Sequence, residues 1–100
     1  MLRPKYQFWV YILASQRNGT LYIGYTNNLE RGVFEHKNKV NESFTKRYKV
    51  DKLVYYEEHQ YVTNAFKRER QMKSWKRQWK IELIESMNPS WTDLAEDWYD

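Results

Sequence analysis

The sequence contains no cysteine, only two prolines and three glycines, and no long apolar run. Without cysteine, disulfide bonds and thiolate metal sites are excluded, and a reducing compartment is the expected environment. No segment approaches the roughly 20 consecutive apolar residues that cross a bilayer. The basic residues near the N-terminus are not followed by the apolar segment of a secretory signal. We therefore expect a cytoplasmic protein with no membrane partner that folds as one domain over residues 1–100.

The charges are divided unevenly along the chain. Residues 1–80 hold all 17 Lys and Arg residues against seven acidic residues, a net charge of +10, whereas residues 81–100 hold six acidic residues and no basic one. The chain also has nine tyrosines and five tryptophans. Lys and Arg neutralise phosphates and aromatic rings stack on bases, so this composition favours a nucleic acid as partner. The alternative is that the basic residues merely solvate a small domain.

The apolar pattern predicts the order of the secondary structure elements. Runs rich in β-branched and aromatic residues predict strands at residues 8–14, 20–25 and 53–57. An Asn-Gly pair between the first two runs predicts that they form a hairpin. Helices are predicted at about 28–39, from a cap at Thr63-Asn64 to about 73, at about 76–87 and from about 92. The order β-β-α-β-α-α predicts an α+β fold, a small three-stranded antiparallel sheet flanked by helices.

The first predicted helix has two unexpected residues on its apolar face. Leu29, Val33, His36 and Val40 follow one another at spacings of four, three and four, so His36 belongs to the inward stripe. Gly32 lies on the same face, where a mid-helix glycine costs about 1 kcal/mol relative to alanine. Such a glycine implies either close packing or the loss of a larger side chain. A single histidine in an apolar stripe is more often a core residue than a catalyst.

The second long helix carries a carboxylate on its inward side. Ala65, Phe66, Met72 and Trp79 mark the predicted apolar face, and Glu69 lies four residues after Ala65 and three before Met72. A buried carboxylate is costly unless it is paired or binds a metal. The helix also holds many basic residues, so a buried salt bridge and metal ligation are both open.

The predicted hairpin places two tyrosines and a glycine on one face. A two-residue turn would pair Leu13 with Gly24, whereas a four-residue loop would pair Tyr11 with Gly24 and Leu13 with Tyr22. Partners across an antiparallel ladder share a face. Either register therefore puts Tyr11, Tyr22 and Gly24 together, and the four-residue loop sets the two phenols diagonally within reach of each other. Gly24 would leave open space beside a phenol.

Together these segments resemble the GIY-YIG nuclease superfamily, most closely its small single-domain bacterial members. The resemblance is carried by Val10-Tyr11, Tyr22-Ile23-Gly24, residues 26–30, His36 and Arg68-Glu69, and it spans about residues 8–94. It implies hydrolysis of a DNA phosphodiester with one divalent metal, Mg²⁺ or Mn²⁺, bound by Glu69. The metal would polarise the phosphate and stabilise the leaving oxygen.

The resemblance also implies roles for the residues around the metal. Tyr11 would be the general base that activates water, although a free tyrosine has a pKa of about 10 and needs help from the metal or a neighbour. Tyr22 would orient the water or the phosphate, and His36 would relay the proton of Tyr11.

Two positions depart from the family pattern. The catalytic arginine of the family lies ten residues after the first tyrosine of the Tyr-Ile-Gly motif, and Gly32 occupies that position here. Arg31 is a possible substitute, although it is displaced by about 100° around the helix. The family also has a downstream asparagine, for which Asn88 lies too far along the chain from Glu69.

Two functions remain open, with a third less favoured. The first is an endonuclease acting on duplex or branched DNA, impaired because Gly32 replaces the expected arginine. The second is a non-enzymatic nucleic-acid-binding module that keeps the nuclease fold, and the third is a protein-interaction domain that uses the acidic segment 81–100. In the first two readings, the expected DNA-binding residues are Lys37, Lys39, Lys46, Arg47, Lys67, Arg70 and Lys73. The sequence does not indicate an oligomeric state.

Overall fold

Two apolar strands form a hairpin, and a third strand pairs with its first strand. The computed structural model describes residues 7–38 and 47–99. Strands β1, Phe8–Ala14, and β2, Leu21–Thr26, are antiparallel, and β3, Lys52–His59, pairs antiparallel with the other edge of β1. The strand order is therefore β2-β1-β3, with β1 in the centre. The predicted α+β class, the antiparallel sheet and the order β-β-α-β-α-α are confirmed.

A four-residue loop joins β1 to β2. Tyr11 pairs with Gly24 and Leu13 with Tyr22, which is the second of the two registers considered from the sequence. The loop is closed by a hydrogen bond from the amide of Ser15 to the carbonyl of Thr20, 3.0 Å. Asn18 has a φ of 58°, a left-handed conformation that asparagine tolerates better than most residues. The loop therefore sets the register that brings Tyr22 diagonal to Tyr11.

Both faces of the sheet are covered. Helix α1, Leu29–Lys37, covers the face that carries Trp9, Tyr11 and Leu13. Helices α2, Val62–Ser74, and α3, Arg77–Met87, cover the opposite face, where their side chains pack on alternate residues of β1. Each fully buried aliphatic side chain contributes roughly 1.5–3 kcal/mol relative to an exposed one. Among the described residues, no helix is long and apolar enough to cross a membrane.

The helix ends differ from the sequence prediction at several points. Asn28 caps α1 as expected, since its side-chain oxygen accepts a hydrogen bond from the amide of Arg31, 3.1 Å. The predicted cap at Thr63-Asn64 is wrong, because α2 begins at Val62 and both residues lie within its first turn. The helix predicted from about residue 92 is also wrong. The Asp93 carboxylate accepts hydrogen bonds from the amides of Ala95 and of Leu53 in β3, and the segment forms short turns instead.

Two residues assigned to the apolar face of the second long helix are exposed. Phe66 is 43% exposed and Trp79 is 49% exposed. The predicted apolar face continued one helical period from Ala65 to Trp79, across the boundary predicted between residues 73 and 76. The chain is extended at Trp75 and Lys76, with ψ near 150°. The helical period therefore does not continue from α2 to Trp79. Phe66 is turned about 100° from the buried Ala65 and lies beside the contact face.

Asn88 joins the end of α3 to β3. Its buried side chain donates hydrogen bonds to the carbonyls of Val54, 3.2 Å, and Thr92, 2.8 Å. Its oxygen accepts from the amide and the hydroxyl of Thr92, both at 3.1 Å. Three of these four bonds hold backbone groups, so Asn88 has a structural role in this fold.

We expect Asn88→Ala to lower the free energy of unfolding by about 1–3 kcal/mol, because it leaves buried backbone groups without partners. Asn88→Asp should also destabilise the fold, since it keeps the acceptor oxygen and loses both donated bonds. Urea unfolding at pH 7 measures both effects. Asn64→Ala, a change at an exposed position of α2, is the control. If Asn88→Ala is as stable as Asn64→Ala, the anchoring role of Asn88 is wrong.

Candidate active site

The structure brings together Tyr11, Tyr22 and His36, three of the residues singled out from the sequence. Tyr11 comes from the middle of the central strand and is only 4% exposed. Its hydroxyl oxygen lies 3.1 Å from Nε2 of His36, in the last turn of α1. The ring of Tyr22 lies 5.0 Å from the ring of His36 and 6.4 Å from that of Tyr11, measured between centroids. Side chains of β2 and α1 thus meet beside the phenol of Tyr11 in β1.

Gly24 makes room for this arrangement. A methyl group at residue 24 would lie 2.7 Å from the hydroxyl oxygen of Tyr11 and 2.8 Å from its Cζ atom. Atoms at such distances overlap, so any larger residue would force the phenol to move. Glycine at the position opposite Tyr11 in the ladder is therefore required by the close approach of the ring.

Burial keeps both hydrogen-bonded groups neutral near pH 7. Burial raises the pKa of Tyr11 well above its usual value, and nearby Tyr22, Glu35 and Glu69 raise it further. Burial also lowers the pKa of His36, against a weaker opposing effect of Glu35. A neutral phenol and a neutral imidazole share one hydrogen bond, in which either the O–H or the N–H donates. A positive charge near Tyr11 would favour its phenolate form.

Glu69 is the buried carboxylate that the sequence predicted. It is 8% exposed, and its charge reaches Tyr11. Its Oε2 atom lies 2.8 Å from the ammonium of Lys73, whose side chain is 52% exposed. The salt bridge considered from the sequence is therefore present, and a flexible, half-exposed ammonium is the cation at this carboxylate. Lys73 and Tyr22 line a common depression of about 290 Å³, together with Leu21, Ile23 and Lys80.

Comparison with known proteins agrees with this geometry. A family model described as the GIY-YIG catalytic domain matches residues 7–82. The chain belongs to the GIY-YIG family. A UPF0213 protein of Staphylococcus saprophyticus is 34% identical over 76 residues, which cover 76% of this chain and 92% of the relative. A UPF0213 protein of Syntrophus aciditrophicus is 38% identical over 82 residues, 81% of this chain and 92% of the relative.

A solved structure shares the GIY-YIG fold of this chain. The solution NMR structure of the UPF0213 protein BH0048 from Bacillus halodurans superposes with a TM-score of 0.55 at 22% sequence identity. The match covers 91% of this chain and 97% of the other. At this level of identity the likeness establishes the fold.

Gly32 of this GIY-YIG domain faces the sheet without being tightly packed. A Cβ atom there would meet the side chain of Thr26 at 3.5–3.6 Å, an ordinary van der Waals distance. Close packing therefore does not explain the glycine. Thr26 lies two residues after Gly24 in β2, so the two positions share the face of the strand that carries Tyr22. A longer side chain at residue 32 would start from this face.

Arg31 lies elsewhere on α1. Its side chain is exposed and lines a surface depression together with Asn28, Glu30, Phe34 and Tyr99. None of the residues of the tyrosine cluster lines that depression. In this structure Arg31 does not take the place of an arginine at residue 32.

The basic residues expected to bind DNA are arranged unevenly. Lys37 is engaged within the fold, because its ammonium donates to the carbonyl of Asp51, 3.0 Å, and pairs with the carboxylate of Asp93. Lys39 and Lys46 lie outside the described residues. The remaining four are exposed, three of them on α2: Arg47, Lys67, Arg70 and Lys73.

The sequence analysis missed a second charged cluster on the other side of α2. Arg68 donates from Nε and Nη2 to the carboxylate of Glu57 on β3, at 2.9 and 3.2 Å. Tyr55 and His59 also bond to this carboxylate, each at 2.6 Å. Burial by itself would raise the pKa of Glu57, but these hydrogen bonds outweigh it and hold the pKa below its usual value. The alternation of Tyr55, Glu57 and His59 along β3 is the sequence signal that could have indicated the cluster.

Arg68 immediately precedes Glu69, so its bonds to Glu57 fix the rotation of α2 against the sheet. This clamp helps to hold Glu69 on the buried side of α2, where it is 8% exposed.

The lowered pKa of His36 predicts a pH effect. A histidine whose pKa is depressed in the folded state contributes stability above its unfolded pKa of about 6.5, and this stability is lost as the pH falls through the folded value. We expect the His36 ring to titrate below pH 6.5 in an NMR titration. Between pH 7.5 and 5 the wild type should lose more unfolding free energy than His36→Gln, which keeps a polar side chain and does not titrate. A midpoint at or above 6.5 would contradict the burial of the imidazole.

Proposed function

We propose that this protein is a metal-dependent DNA endonuclease that hydrolyses phosphodiester bonds, with its activity held low by Gly32. The observation that supports this most is the 3.1 Å contact between Tyr11 and His36, made beside Tyr22 and within electrostatic reach of Glu69. Burying a phenol hydroxyl, an imidazole and a carboxylate costs free energy, so folding alone does not explain why these three groups are present together.

Glu69 fits a divalent cation, Mg²⁺ or Mn²⁺. It is buried and anionic, and the only cation that the described residues supply to its carboxylate is the ammonium of Lys73, which can swing into solvent. No group of three or more carboxylate or imidazole side chains is gathered in the described parts of the chain. Glu69 would therefore share the ion with water and a substrate phosphate, the sparse coordination that Mg²⁺ accepts. The bound ion would polarise the phosphate and stabilise the leaving oxygen.

The neighbouring residues would manage the proton and the water. Tyr11 as a neutral phenol is a poor base, and its raised pKa shows how strongly burial disfavours the phenolate. A cation at Glu69 would oppose that effect, since a nearby positive charge stabilises an anion. His36, neutral near pH 7, is placed to take the proton from Tyr11 at Nε2. Tyr22, with its ring 5.0 Å from that of His36, would orient the water or the phosphate.

The substrate class follows from charge. Residues 1–80 carry a net charge of +10, and Lys67, Arg70 and Lys73 are exposed on the helix that carries Glu69. A DNA phosphate held at Glu69 through the divalent ion would therefore lie against a basic helix face.

One observation favours a second function, that of a nucleic-acid-binding module without catalysis. Gly32 occupies the position at which the family resemblance implies a phosphate-binding arginine, and Arg31 lines a different depression. Loss of a positioned cation that faces the developing phosphate charge typically costs about 10²-fold or more in rate. The fold and the basic helix face would survive that loss.

We expect Gly32→Arg to raise plasmid-nicking activity by about 10²-fold in the presence of Mg²⁺ or Mn²⁺. The residue 32 backbone accommodates a Cβ atom at ordinary contact distance from Thr26, and the guanidinium can bond a phosphate through two parallel N–H groups. Gly32→Ala is the matched control. It should stabilise the helix by about 1 kcal/mol and leave the nicking rate unchanged.

The variants separate the two functions. If Gly32→Arg folds, binds DNA and nicks faster than the parent, the endonuclease proposal stands. If neither protein nicks DNA while both bind it, the binding module is the correct function. If the parent nicks and Gly32→Arg does not, the arginine position is misassigned.

A further inference from the structure

Two exposed aromatic rings meet where α2 packs against the edge strand β2. Tyr25 is 40% exposed and Phe66 is 43% exposed, although they contact each other. Their ring centroids lie 5.8 Å apart, and the rings are nearly perpendicular at 75°. In such a T-shaped pair one ring offers its edge and the other its face. Whichever ring offers the edge, at least one face of Tyr25 is not used by Phe66.

A guanidinium completes this surface. The Cζ atom of Arg70 lies over the ring of Phe66, 5.5 Å from its centroid. Phe66 and Arg70 are one turn apart on α2 and share an exposed side of the helix. Tyr25, Phe66 and Arg70 together form what we call the aromatic surface.

The aromatic surface lies next to Glu69. Arg70 follows Glu69 directly, and Phe66 precedes it by three residues, which places their Cβ atoms about 5–6 Å apart on the helix. Tyr25 lies in β2, an edge strand of the sheet, and its side chain is on the face that α2 covers, opposite to Tyr22 and Gly24. A DNA strand whose phosphate reached Glu69 would therefore have its next nucleotide within reach of the aromatic surface.

We propose that the aromatic surface stacks an unpaired base next to the phosphate bound at Glu69, so that the preferred DNA has a junction between duplex and single strand. The inference rests on the proposed function, whose substrate class it narrows. Within a duplex, each base is stacked on its neighbours and offers no face to a protein ring. An unpaired base offers such a face, and every base has one, so this selects DNA structure without selecting sequence.

Charge supports a nucleotide as the occupant. The exposed basic residues Lys67 and Arg70 border the two rings, and Lys73 lies one turn further along α2. An apolar protein segment would gain nothing from these cations, whereas a nucleotide uses both the rings and the positive charges.

The test compares three DNA probes bound with Ca²⁺ in place of Mg²⁺ or Mn²⁺, so that an ion can bridge a phosphate to Glu69 while cleavage is suppressed: a blunt duplex, the same duplex with a single-stranded flap, and a single strand. The first flap nucleotide is 2-aminopurine, whose fluorescence falls when it stacks. Tyr25→Leu and Phe66→Leu remove a ring and keep an apolar side chain. The matched control is Phe34→Leu, because Phe34 on α1 is also exposed, at 44%, and forms a T-shaped pair with Tyr99.

For the wild type we expect tighter binding to the flap than to the blunt duplex and quenching of 2-aminopurine. Each of the two leucine variants should weaken flap binding about five- to hundredfold, the range for loss of one stacked base, and abolish the quenching. Blunt-duplex binding should change less than twofold, and Phe34→Leu should behave as the wild type.

Equal losses on the flap and the blunt duplex, or no loss on either, would overturn the proposed stacking. If in that case the wild type still binds DNA with a steep salt dependence, phosphate binding and hence the proposed function survive. If the wild type binds none of the three probes, the proposed function fails together with the stacking.

Discussion

The central strand β1 is paired along both edges and covered on both faces, and the position of every functional side chain depends on this constraint. A strand in this position is built from apolar residues, and β1 is Phe-Trp-Val-Tyr-Ile-Leu-Ala. The Tyr11 hydroxyl is the one side-chain polar group in it apart from the indole of Trp9. Because a buried hydroxyl needs a hydrogen-bond partner, a residue that packs against Tyr11 must supply a donor or an acceptor. His36 supplies the partner, and Gly24 supplies the space.

The same constraint gives the site its electrostatic character. The environment that satisfies Tyr11 as a neutral phenol also resists its ionisation, since burial and the charge of Glu69 both raise its pKa. Glu69 in turn is balanced by Lys73, a side chain that solvent can draw away. The positive charge at Glu69 is therefore carried by a flexible side chain and is not firmly held in the described part of the chain. A metal at Glu69 and an arginine at residue 32 are the two ways in which our proposal supplies a firmly held charge.

The sheet and most of the candidate site could be predicted from sequence because they depend on short-range patterns. The four-residue loop fixes the pairing of Tyr11 with Gly24, and helical spacing puts His36 and Glu69 on inward faces. The errors arose where one long-range contact overrides local pattern. The Asp93 carboxylate accepts a hydrogen bond from the amide of Leu53 in β3, and turns replace the helix predicted there. The Glu57–Arg68 clamp could not be found locally, because each residue alone resembles a solvated surface charge.

The central claim is that Tyr11, Tyr22, His36 and Glu69 form one metal-dependent centre. Manganese titration followed by NMR tests it directly, because Mn²⁺ broadens the signals of nuclei close to it. We predict selective broadening of the ring signals of Tyr11, Tyr22 and His36 in the wild type and in Glu82→Gln, an exposed control, and none in Glu69→Gln. Broadening that persists in Glu69→Gln, or that centres on another part of the chain, would contradict the account.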